Sequence, residues 1–262
     1  ILDIEKLGFS EDYLDKLKKC VSRPHGMILV CGPTGSGKTT TLYSLMKHIH
    51  TPEKNIITIE DPIEYQIQGI NQVTARAESG LTFASALRSI LRQDPDVIMI
   101  GEIRDFDTVD IAIKSALTGH LVLSTLHTTT APGSVVRLIN MGCEPFLISA
   151  SLIAIVAQRL IRKLCPKCRD VYKPEEVLCA KLGIDIKKIK DISFYRPKGC
   201  ASCLNTGYSG RVGICEVLPI TPRIRELVLK RARENEVKQA ARDEGMKTLR
   251  EDGILKVLAG LT

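Results

Sequence analysis

Gly32-Pro33-Thr34-Gly35-Ser36-Gly37-Lys38-Thr39 decides how the chain is read. The octapeptide fits G-x-x-x-x-G-K-[ST], follows the apolar run 27–31 and precedes a helix-like segment at 39–50. Strand, glycine-rich turn and helix therefore stand in the order that a phosphate-binding loop requires. The glycines let the backbone wrap an anion, so that main-chain N–H groups and the positive end of the helix face it. Lys38 is expected to reach the β- and γ-phosphates of a nucleoside triphosphate, and the Thr39 hydroxyl to ligate magnesium.

Outward from this loop, short β-branched runs at 56–59, 97–100 and 121–123 are apolar without alternation, as in strands buried on both faces of a parallel sheet. Segments 83–93 and 108–118 supply crossover helices. The core, residues 23–164, is thus expected to be α/β. Before it, residues 1–22 read as a linker with a short leading helix capped at Ser10 and serving as a hinge. The chain opens on Ile1 and not Met, so a preceding region is expected. After Leu164 the texture changes to a cysteine-bearing module, 165–206, and a helical region, 207–262, in which Pro222 suits a first helical turn and Gly245 a break.

The 262 residues are 44% hydrophobic and 26% charged, an ordinary globular composition. Net charge is +7, unevenly spread: residues 1–158 carry −3 and residues 159–262 carry +10. A basic third can face nucleic acid, an anionic membrane or an acidic protein. Aromatics are only 4%, which leaves few platforms for stacking bases and argues against a nucleic-acid partner. The longest apolar run, 146–161, is interrupted by Ser149, Ser151, Gln158 and Arg159 and reads as a buried helix rather than a membrane span.

Two acidic clusters qualify to position water and metal. Ile59-Glu60-Asp61-Pro62-Ile63-Glu64 closes the second strand, where ligand crevices of parallel sheets lie. The run 97–100 ends in Gly101-Glu102, with glycine where a strand of this kind usually carries aspartate. That deficit favours Glu64 as the base that polarises water and leaves Glu102 to the metal shell. Glu60 and Asp61 join the nucleotide-binding set, with Gly32, Pro33, Thr34, Gly35, Ser36, Gly37, Lys38, Thr39 and Thr40 of the loop. His120 and His127 bracket the strand at 121–123, and His127, at its C-terminal end, is placed to sense a γ-phosphate. Arg104 either reaches nucleotide or a neighbouring subunit, or pairs locally with Asp105 or Asp107.

Cys165-x-x-Cys168 and Cys200-x-x-Cys203 are separated by 31 residues, a spacing compatible with two knuckles on one tetrahedral zinc ion. Four thiolates leave no open position, so the metal's role is structural. Cys20, Cys31, Cys143, Cys179 and Cys215 are expected to be packed thiols.

Together these residues resemble the secretion ATPases of type II secretion and type IV pilus-assembly systems. The resemblance spans essentially the whole chain: a Walker A at 32–40, an aspartate box at 58–65, an atypical Walker B at 94–104, a histidine box at 118–131, the tetracysteine motif at 165–203 and Gly207-Tyr208-Ser209-Gly210-Arg211 after it. It implies a RecA-like P-loop core that hydrolyses ATP in a cytoplasmic homo-hexamer. The same resemblance implies peripheral attachment to the inner membrane through a platform protein and an adaptor. Retraction motors of this superfamily generally lack the four cysteines, so an assembly or export motor is implied. Some nucleotide-reaching arginines are implied to reside in a preceding domain, which makes weak basal activity the expectation for these residues alone. Two other readings stay open: a RecA-like nucleic-acid translocase, and a nucleotide-binding module with negligible turnover.

Overall fold

Apolar runs of four to six residues cannot satisfy their backbone alone, and flanking one another in a single sheet is the arrangement that buries both their faces. The computed structural model, which describes residues 2–183 and 193–262, shows this arrangement. Helix α1 (Glu11–Val21) leads into β1 (Gly26–Cys31), α2 (Lys38–Ile49), β2 (Ile56–Glu60), β3 (Asn71–Thr74) and α3 (Phe83–Ile90). There follow β4 (Val97–Ile100), α4 (Phe106–Leu117), β5 (Leu121–Leu126), α5 (Ala131–Asn140), α6 (Pro145–Ser151) and β6 (Leu152–Leu164). The chain continues through β7 (Asp170–Tyr172), α7 (Glu176–Leu182), β8 (Phe194–Arg196) and β9 (Tyr208–Pro219), then α8 (Pro222–Leu229), α9 (Glu234–Asp243) and α10 (Leu249–Leu258).

Seven strands form one sheet in the order β3-β2-β4-β5-β1-β6-β9, parallel except for the last, which runs antiparallel to β6. Side chains of β1 alternate between two cores. Met27, Leu29 and Cys31 pack with α3, α4, α5, α6, α8 and α9, whereas Ile28 and Val30 pack with residues 4–21 and α2. The parallel register brings Cys31, Leu126 and Ala157 level, so the C-terminal ends of β1 and β5 and the middle of β6 open on one crevice.

Three expectations are corrected. The run 146–161 is not one helix: α6 ends at Ser151 and the chain turns straight into β6. An unbroken apolar run is equally suited to a buried helix and a buried strand, and here β6 is claimed by β1 on one side and β9 on the other. Residues 208–219 are likewise a strand at the edge of the core sheet, and the helices of the 207–262 region begin only at Pro222. Gly245, just past α9, does adopt a left-handed conformation. The leading segment is no loose hinge either. Tyr13 is 1% exposed and Leu17 fully buried; the Tyr13 hydroxyl donates to Lys247 O at 3.0 Å, and Lys256 Nζ donates to Gly8 O at 2.5 Å.

The 165–206 module contains the two-stranded sheet β7-β8. Cys179 and Phe194 are buried there against Ile254, Val257 and Leu258 of α10. Residues 184–192 of this module lie outside the described residues.

Candidate functional site

The loop between β1 and α2 needs positive φ at Gly35 (76°) and Gly37 (87°), which glycine adopts without strain. At Gly37 a side chain is further excluded, because a Cβ would stand 2.8 Å from Gln158 Nε2. Gln158, 2% exposed, clamps the loop from β6: Nε2 donates to Ser36 O at 2.9 Å, and Oε1 accepts from Thr41 Oγ1 at 2.7 Å. In the sequence Gln158 is only a polar interruption of an apolar run. A buried amide facing a glycine loop is legible only once β6 lies beside β1. Lys38 Nζ donates to Gly32 O at 3.0 Å and Pro33 O at 3.1 Å, which folds the ammonium over its own loop. Burial lowers its pKa, against the pull of Glu102. Ser36 Oγ is buried without a hydrogen-bond partner.

Loop and acids line one cleft of about 560 Å³. Thr34, Gly35, Gly37, Lys38, Thr39 and Thr40 come from the loop and α2, Glu60, Asp61 and Glu64 from the end of β2, and Glu102 and His127 from the ends of β4 and β5. Gly32, Pro33 and Ser36 complete the loop without lining the cleft wall. His120, at the opposite end of β5, is not brought in; its Nδ1 faces Ser115 O at 3.0 Å.

The acids differ in what they hold. Glu60 is 3% exposed and accepts from the Tyr43 hydroxyl, from Thr58 Oγ1 at 2.6 Å and from Gln72 Nε2 at 3.0 Å. Its oxygens are thus spent inside the protein. Glu64 is exposed on the cleft wall, beside Tyr65, whose ring meets Tyr43 edge-on at 4.8 Å. Glu102 bridges two side chains: Oε1 pairs with Arg104 Nη2, and Oε2 meets His127 Nε2 at 3.1 Å. Burial works against the Glu102 carboxylate, but the Arg104 guanidinium and then His127 bring its pKa below the ordinary value. The partner of Arg104 is therefore Glu102 and neither Asp105 nor Asp107.

Gly101 has a steric reason. Its N–H donates to Ile59 O at 2.8 Å, and a Cβ would stand 3.3 Å from that same oxygen and 3.4 Å from Glu60 Cα. Close approach of β2 to β4 makes any side chain here a tight fit. Arg211 of β9 and Leu160 of β6 also line the cleft, which residue pattern alone did not reveal.

Cys165, Cys168, Cys200 and Cys203 converge, with all four sulfurs within 4.8 Å of one another. Cys203 Sγ lies 3.7 Å from both Cys168 Sγ and Cys200 Sγ. Four sulfurs bound tetrahedrally at about 2.3 Å from one ion stand roughly 3.8 Å apart, whereas a disulfide needs about 2.05 Å. Although burial opposes ionisation of Cys203, N–H groups of Cys200 and Gly207 at 3.3 Å hold its thiol down to about 6. The donor set fits a thiolate-bound divalent ion. The other five cysteines are buried and free.

Among the described residues no helix is long and apolar enough to cross a membrane. The chain is 52% identical over 262 residues to the type IV pilus assembly ATPase PilB of Myxococcus xanthus, of which it covers 46%. It is 48% identical over 261 residues to the type II secretion system protein E of Pseudomonas aeruginosa, of which it covers 51%. It thus spans about half the length of these curated relatives. The crystal structure of the pilus retraction motor PilT with bound ADP superposes with a TM-score of 0.73 at 32% identity, covering 100% of this chain and 64% of that one. The ATPase DotB of Legionella pneumophila, at 22% identity and a TM-score of 0.70, covers 99% of this chain and 62% of its own, and shares the fold. All of residues 1–262 match the family model described as Type II/IV secretion system protein, and the chain belongs to that family.

Proposed function

We propose that this chain is the ATP-hydrolysing motor portion of a type II secretion or type IV pilus-assembly machine. The observation that carries the reading is the meeting, in one cleft, of the phosphate loop with Glu64, Glu102 and His127. The names of the relatives, a pilus assembly ATPase and a secretion protein E, point the same way.

In this reading main-chain amides of 34–39 hold the triphosphate tail and Lys38 leaves Gly32 O and Pro33 O for the phosphate oxygens. Magnesium, when bound, supplies charge neutralisation between the β- and γ-phosphates; Thr39 would hold it, with acids of the cleft around it. Glu60 is committed to Tyr43, Thr58 and Gln72, and Glu102 to Arg104 and His127, which leaves Asp61 and Glu64 of the cleft; Glu64 is the one proposed to accept a proton from water. His127 gains a partner when a γ-phosphate arrives, and its contact with Glu102 then changes. The four cysteines would hold one structural zinc ion that ties β7, β8 and the start of β9 into a single body.

The assembly proposed is a homo-hexamer at the cytoplasmic face of the inner membrane, acting on a platform protein through subunit motion. Nucleic acid is not proposed as a partner. The test is turnover of the full-length protein with magnesium and ATP, against Glu64→Gln. Turnover should fall at least a hundredfold, with ATP affinity kept within about threefold. Unchanged turnover would remove Glu64 from its role, and stimulation by DNA or RNA would favour a translocase.

A further inference from the structure

The loop that carries His127 is held by local bonds of Thr128 and Ser134 and by residues far along the chain. Thr130, the N-cap of α5, accepts from Gly133 N at 3.0 Å and donates its own hydroxyl to Glu234 Oε1 at 2.6 Å. The next amide, Ala131 N–H, donates to Glu216 Oε1 at 2.9 Å. Arg159 Nη2 donates to Thr129 O at 3.1 Å, and Cys31 Sγ to Thr130 O at 3.5 Å. Glu216, on β9, is 2% exposed and its carboxylate reaches the first residue of α5. Glu234 opens α9. Room for Glu234 is made by Gly133, where a Cβ would stand 2.7 Å from Thr130 Oγ1 and 3.2 Å from Glu234 Oε1. A cap hydroxyl, a bare Cα and two acids from separate elements thus form one fitted joint.

Stability of α5 does not need this joint, since Thr130 already caps the helix through Gly133 N. What the two acids add is a fixed position for residues 129–131 relative to β9 and α9. His127 lies three residues before Thr130 and meets Glu102 on the cleft wall. We propose that Glu234, assisted by Glu216, is a positioning residue for His127: it fixes the histidine loop so that the imidazole faces the γ-phosphate, and it couples that loop to the C-terminal helices. The proposal rests on the ATPase reading above.

Full-length wild type, Glu234→Ala, Glu234→Gln and Gly133→Ala are compared for turnover, KM for ATP and ADP affinity. A displacement of about 1 Å at a catalytic group costs up to a hundredfold in rate. The expected result for Glu234→Ala is a kcat lowered about tenfold or more, with KM and ADP affinity within about twofold, because the phosphate loop is untouched. Glu234→Gln keeps an oxygen that accepts from Thr130 and should restore kcat to within about twofold of wild type. Gly133→Ala, whose Cβ would crowd Thr130 Oγ1 first and Glu234 Oε1 less, should lower kcat too by disturbing the same joint.

A folded Glu234→Ala with wild-type kcat overturns the proposal, as does a loss of kcat and ADP affinity together, which marks a general distortion. Failure of the glutamine to rescue also overturns it. Absence of turnover in the wild type itself removes the ATPase reading and this proposal with it, and is told apart because no variant is needed to see it.

Discussion

Single residues in this cleft are explained by what stands next to them. At Gly101, where an aspartate is expected at the end of β4, Ile59 O and Glu60 Cα approach within 3.4 Å of where a Cβ would sit, so a side chain would have to push β2 aside by a few tenths of an ångström. Gly101→Asp is therefore expected to destabilise the protein by about 1–3 kcal/mol, read from urea midpoints, rather than improve metal binding. Glu216 behaves oppositely to Glu102. Burial raises its pKa, with the Ala131 N–H and Lys238 partly compensating. A carboxyl whose folded pKa lies above its unfolded one costs stability as pH rises from the ordinary value, near 4.5, through the folded value. Glu216→Gln keeps an acceptor for Ala131 but cannot ionise. Its stability relative to wild type should increase over that window and level off above it; urea midpoints from pH 4 to 8 would show this, and a flat difference would contradict it.

At the scale of elements, β6 joins two functions. Its middle clamps the phosphate loop through Gln158, and it ends at Leu164, directly before Cys165. Gln158→Leu leaves Ser36 O and Thr41 Oγ1 without their buried partner, a loss of about 1–3 kcal/mol. Nucleotide affinity should fall more than kcat, measured by titration calorimetry and steady-state turnover, because the loop's amides lose their fixed direction. The cysteine cluster makes a separate prediction. Freshly purified protein should carry about one zinc per chain, and chelation should loosen residues 165–207 before the core. Hydrogen exchange after chelation should show this order, with the sheet β2-β4-β5-β1 still protected. The four-cysteine cluster was legible as a pair of Cys-x-x-Cys motifs. The strand that delivers it was not, because a run such as Ile153-Ala154-Ile155-Val156-Ala157 has no period to separate helix from strand.

For the whole molecule, the leading segment is built into the body. Leu7 and Phe9 are buried, Tyr13 binds Lys247 on both its N–H and its carbonyl, and Lys256 reaches Gly8 O. This segment therefore moves with the body and is not a hinge of its own. Tyr13→Phe removes one hydroxyl that satisfies two partly buried backbone groups of Lys247 and should cost about 1 kcal/mol, seen as a lower urea midpoint without a change in KM for ATP. The charge asymmetry between the halves also changes meaning once folded. Of the basic residues in the last third, Arg159 and Arg211 sit at the phosphate loop and the cleft, and Arg162 and Arg169 lie over the rings of Tyr208 and Tyr195. Part of the +10 is thus used within the protein, next to where an anion is proposed to bind.

Local chemistry was determined by sequence: the glycine loop with Lys38 and Thr39, the strand runs that surround it, the acids at 60–64 and 102, and the paired cysteines. Each is a short pattern whose meaning depends only on neighbours along the chain. Tertiary structure alone decided that β6 and β9 complete the sheet, that Gln158 holds the loop, that Arg104 and His127 share Glu102, and that Glu216 and Glu234 hold the histidine loop. Those contacts join residues 2 to 122 positions apart. Most of them have no counterpart in local pattern, because hydrogen bonding and burial depend on separation in space, which only the packed sheet fixes.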